Sequence, residues 1–115
     1  MQKREAIVLR QYEEPYGDGT RVMLDTDGNG RADMQMRIPY TRTMLFYKML
    51  SDELISGTRI TFDDDWIVDN EYVLVDYLLS WEGEDILDVF PGKEGLFPAA
   101  TRRRAAAQQD QRNGR

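Results

Sequence analysis

The chain contains no cysteine and no histidine. Disulfides, thiol chemistry, zinc sites of the Cys/His kind and imidazole acid–base catalysis are therefore excluded. No apolar run approaches the roughly 18 to 20 residues that a membrane helix needs. The apolar stretch Ala6-Ile-Val-Leu9 near the N-terminus is too short for a signal-peptide core. These absences lead to the expectation of a cytoplasmic protein with no membrane partner. At 115 residues, one domain with one core is expected.

Positive charge is also missing where negative charge is densest. From Ile60 to Gly92 there is no Lys or Arg, while ten acids fall between Asp63 and Asp88. Residues 1–100 carry a net charge of −10, residues 101–115 carry +4, and the whole chain carries −6. An acidic body with a basic tail is the main organisational fact. The body is expected to be the domain, residues 1–98, and residues 99–115 its flexible basic tail.

Residues 5–12 are rich in β-favouring types and read as a strand, followed by a loop at 13–19 and a second strand at about 20–24. Met34-Gln-Met-Arg-Ile38 alternates apolar and polar, the period of a half-buried strand that ends at Pro39. Thr41 or Thr43 can cap a helix through 44–54, and Gly57 is a fitting stop. Strands are expected again at 58–62, 71–79 and 85–90, although a helix over 72–81 fits the short apolar run as well. The order β-β-β-α-β-β gives a mainly β fold, and matches the small oligonucleotide/oligosaccharide-binding (OB-like) barrel with its helix between strands three and four. An SH3-like barrel and an open α+β sheet with one helix packed on it are rivals. The tail is expected to be disordered or helical.

The segment Asp25-Thr-Asp-Gly-Asn-Gly-Arg-Ala-Asp33 sits at the tip of the second hairpin. Asp25, Asp27, Asn29 and Asp33 fall at positions 1, 3, 5 and 9, and the carbonyl of Arg31 at position 7, which is oxygen spacing suited to a hard cation. The segment resembles the calcium loops of FG-GAP repeats, and is similar to those of dockerins and EF-hands. An EF-hand has a bidentate Glu at position 12, where this chain has Met36. The strand–loop–strand setting suits the FG-GAP comparison better, but a propeller needs many such repeats and this chain has one. The resemblance implies a structural Ca2+ site and nothing about overall fold. The other reading is a tip that is simply rich in turn formers.

Residues 62–90 interleave Phe62, Trp66, Tyr72, Tyr77, Trp81 and Phe90 with the ten acids. Either the aromatics face the core and the acids face water, or the stretch forms a docking face for a basic protein partner. Asp63, Asp64, Asp65, Trp66, Glu82 and Asp85 are the candidates for that face. Nothing marks the acidic pairs as a catalytic dyad. Pro91-Gly-Lys-Glu-Gly95 lacks the spacing of a phosphate loop and the hydroxyl residue after its Lys. The expectation is a non-enzymatic accessory or adaptor module. Two alternatives stand: a single-stranded nucleic-acid binder assisted by Arg102, Arg103 and Arg104, or an acidic inhibitor that mimics nucleic acid.

Overall fold

The computed structural model describes residues 3–40 and 44–113. Three strands, β1 (Lys3–Glu13), β2 (Gly19–Asp25) and β3 (Met34–Pro39), form an antiparallel meander. Their alternation turns Ala6 and Val8, Val22 and Leu24, and Met34, Met36 and Ile38 to the core. β4 (Arg59–Asp63) pairs antiparallel with the other edge of β1, Lys3 opposite Asp63, and buries Ile60 and Phe62.

The helix α1 (Met44–Glu53) connects β3 to β4 and buries Tyr47 and Leu50, with Leu54 following just beyond it. Its last carbonyls need partners, as those of any helix do. Gln11 of β1 supplies them: its Nε2 donates to the carbonyls of Ser51 at 2.7 Å and Leu54 at 3.2 Å. Gly57, at φ +92°, takes the left-handed conformation that turns the chain into β4. The expected N-caps, Thr41 and Thr43, lie outside the described residues.

The next segment serves both edges of the sheet. β5 (Tyr72–Leu74) pairs parallel with β3, a 3-10 turn follows at Val75–Tyr77, and β6 (Leu78–Trp81) pairs antiparallel with β4. A two-residue strand, β7 (Glu84–Asp85), completes the order β5-β3-β2-β1-β4-β6-β7. Laid flat, the five spacings from β5 to β6 would measure about 24 Å. The four residue steps from Leu74 to Leu78 reach at most about 14 Å. The sheet must therefore curl until its edges approach. No ladder joins β5 to β6 among the described residues, so the sheet is curled but open.

The mainly β expectation holds, with two corrections in detail and one open alternative, the helical tail, decided. The strand expected over 71–79 is broken by the turn at Val75–Tyr77. The strand expected over 85–90 is instead a helical turn, α2 (Ile86–Val89), because the Asp85 carboxylate caps it by accepting from Leu87 N at 2.9 Å. The tail is helical: α3 (Pro98–Asn113) begins with proline in its first turn, where the missing N–H costs no bond, and continues in Ala, Arg and Gln. The expected boundary after residue 98 falls within that first turn, and Ala99 and Ala100 are buried.

An aromatic cluster joins the helices to the sheet. Phe46 of α1 meets Phe90 edge-on at 5.3 Å and Phe97 at 6.2 Å, and Trp81 of β6 meets Phe90 at 5.6 Å. Phe97 is fully buried, just ahead of α3. Phe97→Ala is expected to lower unfolding stability by about 3 to 5 kcal/mol in urea titrations. Tyr16→Ala, at a side chain 93 % exposed, should change it by less than about 0.5 kcal/mol.

Candidate functional site

Three regions singled out by sequence can be placed. The first is the β2–β3 tip. Asp25 is buried at the end of β2, and its carboxylate is enclosed by the turn that follows. Oδ1 accepts from the backbone N–H of Asp27, Gly28 and Asn29 at 3.0, 2.8 and 3.3 Å, and Oδ2 accepts from Gly30 N–H at 2.7 Å. Gly28 and Gly30 sit at φ +75° and +79°, the conformations that let these N–H groups converge. Asn29 Oδ1 accepts from Arg31 N at 2.9 Å. Asp33 closes the loop by accepting from Thr26 N at 2.9 Å and from Thr26 Oγ1 at 2.7 Å. The tip is thus held by its own hydrogen bonds.

The three carboxylates of the tip titrate in different directions. The Gly30 N–H, followed by those of Gly28, Asp27 and Asn29, holds Asp25 below the ordinary carboxylate range against the opposing effect of burial. Asp27 is pushed up, chiefly by its hydrogen bond to Asp33 and by the Asp33 charge. Burial would raise Asp33, but hydrogen bonds from Thr26 and then from the Asp27 carboxyl outweigh it and bring it down. Asp27 and Asp33 therefore face each other, while Asp25 is turned toward backbone donors.

The second region is divided by β4. Asp63 ends that strand almost wholly buried; its Oδ1 accepts from Asp65 N at 3.0 Å, and its Oδ2 is enclosed with no hydrogen-bond partner. Oxygens of Asp63, Asp64 and Asp65 lie within 4.8 Å of one another, the one such trio of carboxylates among the described residues. Asp64 takes Arg4 at 3.4 Å. Trp66 stacks on Tyr77, with ring centroids 5.4 Å apart and planes 9° from parallel, yet stays 47 % exposed. Glu82 lies at the opposite end of β4, about 13 Å along the strand from Asp63, and Asp85 lies two strands across from Thr61 in the middle of β4. Both are tied into the fold. Glu82, at φ +51° in the β6–β7 turn, accepts from Arg59 N at 2.9 Å. Asp85 caps α2 and holds Arg104.

The third region is the arginine run of α3. Arg104 Nη2 donates to Asp85 at 3.0 Å and to Asp88 at 2.8 Å, and these carboxylates, Asp88 first, raise its pKa further. Arg103 lines a shallow groove with Lys3, Glu5 and Asp85. Arg102 faces solvent. One of the three candidate phosphate contacts is thus engaged by the acidic body.

A fourth group escaped the sequence reading. On strands two and three the sequence shows arginines but, apart from Tyr40 at the edge, no aromatic. The fold adds Tyr72, whose ring lies under the Arg37 guanidinium at 3.8 Å, because β5 docks parallel to β3. No local signal announces a parallel pairing between segments so far apart. Comparison of the chain with protein-family profiles, curated proteins and solved structures finds no match.

The tip makes a pH prediction with opposite signs at neighbouring residues. Asp25, with its folded pKa depressed, adds stability above its unfolded pKa of about 3.9 that is lost as pH falls through the folded value. For Asp27, with its folded pKa raised, stability is full below about pH 3.9 and lost as pH rises through the folded value. In chelator at pH 7, Asp27→Asn is expected to raise the melting temperature and Asp25→Asn to lower it. The gain from Asp27→Asn should shrink toward pH 3. Equal gains at both pH values would contradict the Asp27–Asp33 repulsion.

Proposed function

We propose that this protein is a non-enzymatic accessory module that docks a basic protein partner through Trp66 and the acids around it. The observation that carries the reading is the exposed Trp66 ring, already fixed by its stack on Tyr77. Tryptophan is enriched among residues that dominate binding energy, and a ring held in place loses little entropy on docking. Val68 beside it is also exposed, and Asp65, Asp69 and Glu71 are exposed on the same connector. The Arg4–Asp64 pair is an internal example of a guanidinium seated at this patch. In this reading Asp64, Asp65 and Trp66 form the contact, the buried Asp63 holds the turn beneath them by accepting from Asp65 N, and Glu82 and Asp85 brace the fold. An inhibitor that mimics nucleic acid would use the same patch on a nucleic-acid-binding target. The alternative of single-strand binding through the tail draws less support, since Arg104 is held by Asp85 and Asp88.

The finer fold reading, an OB-like barrel, accompanies this proposal. Its support is the helix between β3 and β4 and the single segment, 72–81, that reaches both edges of a curled sheet. A structural calcium ion at the β2–β3 tip is the other part. Its support is the juxtaposition of Asp27 and Asp33, whose mutual repulsion a cation would relieve. Asp27, Asp33, Asn29, Asp25 and the Arg31 carbonyl are its ligand set.

Two measurements test these statements. Capture from native-host lysate, with and without nuclease, is expected to return a stoichiometric protein that survives nuclease. Trp66→Ala should weaken that partner about thirtyfold, the effect of a truncation worth ~2 kcal/mol. Undiminished capture by Trp66→Ala would remove the patch from the interface. Calorimetric titration of calcium should give a dissociation constant in the micromolar to millimolar range, abolished in an Asp25→Ala/Asp27→Ala double variant. Identical heats from the two proteins would eliminate the calcium site.

A further inference from the structure

The outward face of the sheet runs against the charge of the body. Across β1, β2, β3 and β5, strand register aligns Tyr12, Arg21, Arg37 and Leu74 in one row. The next row aligns Arg10, Met23, Gln35 and Tyr72. Three arginines and two tyrosines thus share one surface of a protein whose net charge is −6. Arg21 stands directly opposite Arg37 on antiparallel strands, an arrangement of like charges that is unfavourable by itself.

The fold compensates only part of this. Arg21 pairs with Glu14 at 3.3 Å. Arg37 has no carboxylate within ion-pair distance among the described residues, and its guanidinium rests on the Tyr72 ring. The Nε atoms of both arginines are enclosed without an acceptor, and the Gln35 Oε1 in the adjoining row is enclosed without a donor. Beside the pair opens a cleft of about 350 Å³, walled by Arg21, Arg37, Tyr72 and Leu74 and rimmed by Glu14 and Asp18. Its volume lies at the lower end of small-ligand sites.

From this geometry we infer a binding site for a nucleotide carrying one negative phosphate, either free or as a unit of a single strand. Glu14 pairs with Arg21 and Asp18 adds a second carboxylate at the rim, so Arg37 is, among the described residues, the one guanidinium of the cleft left without a carboxylate partner, which suits a single phosphate and disfavours polyphosphates. Arginine presents a planar fork of donors suited to phosphate oxygens. The carboxylates of Glu14 and Asp18 are acceptors for the hydroxyl or amino groups of a sugar and base. The stacked Arg37–Tyr72 pair and Leu74 supply the flat, apolar surface on which a base can lie. If the nucleotide belongs to a strand, the chain can continue across β1, where Arg10 and Tyr12 extend the same surface. This inference does not rest on the Trp66 patch.

The test is a calorimetric titration of the full chain with adenosine monophosphate and, separately, with a twelve-nucleotide single strand at low salt. Binding by at least one is expected. Arg37→Gln should weaken it at least about tenfold, as loss of a charge-assisted contact does, while the circular-dichroism spectrum stays native. Arg21→Gln provides a second variant in case Arg37→Gln does not fold. Saturable binding of the mononucleotide identifies the cleft as a site for free nucleotide. Binding of the strand alone, weakened also by Tyr12→Ala, identifies a strand-binding surface. Failure of both ligands to bind, or unchanged affinity in a folded Arg37→Gln or Arg21→Gln protein, overturns the proposal.

Discussion

The short passage from Leu74 to Leu78 constrains the rest of the fold. Its first end is hydrogen-bonded to β3 and its second continues into the strand beside β4, and those strands lie on opposite sides of the meander. A chain that spans at most about 14 Å across this turn cannot serve two edges of a flat sheet. Curvature is therefore imposed by connectivity, and with it an inside. Val75, at the centre of the crossing, is fully buried, and Leu78 and Leu79 follow it inward. The helices then cover what the open sheet leaves exposed, through Tyr47 and Leu50 of α1, Ile86 and Leu87 of α2, and Phe97 with Ala99 and Ala100 at the root of α3.

Electrostatics follows the same economy of short connections. The acidic stretch and the basic tail look like separate functional signals along the chain, yet Arg104 reaches back to Asp85 and Asp88. Glu82 and Asp85 are occupied by the backbone of Arg59 and by the start of α2. What remains as surface character is narrower than the sequence implies. An aromatic acidic patch surrounds Trp66, and an arginine-rich face lies on the outer side of the meander.

Local order was legible where one rule dominated. β-favouring residue types identified β1, alternation identified β3, and the apolar side of residues 44–54 with Gly57 beyond it identified α1. The Asp–Gly–Asn–Gly pattern identified a structured tip, and Asp25 does organise it, although toward backbone N–H groups. Reading failed where a side chain redirected the backbone. Ile86, Leu87, Val89 and Phe90 favour a strand by composition, but the Asp85 carboxylate starts a helical turn instead. It failed again where a site drew on distant segments. Arg37 was visible as a strand residue and Tyr72 as an aromatic among acids, and nothing local marked them as neighbours.

That last feature bears on how the protein reaches its native state. The meander β1–β2–β3 is built from contacts near in sequence, whereas Lys3 meets Asp63 across about sixty residues. Pairings of that separation carry a large loop-closure cost and form slowly. The parallel contact of residues 35–37 with 72–74 also needs both α1 and β4 accommodated between its two halves. The Arg37–Tyr72 contact needs β5 in place beside β3, so the meander alone cannot form it. A chain truncated before β5 keeps its arginines but loses the surface they share.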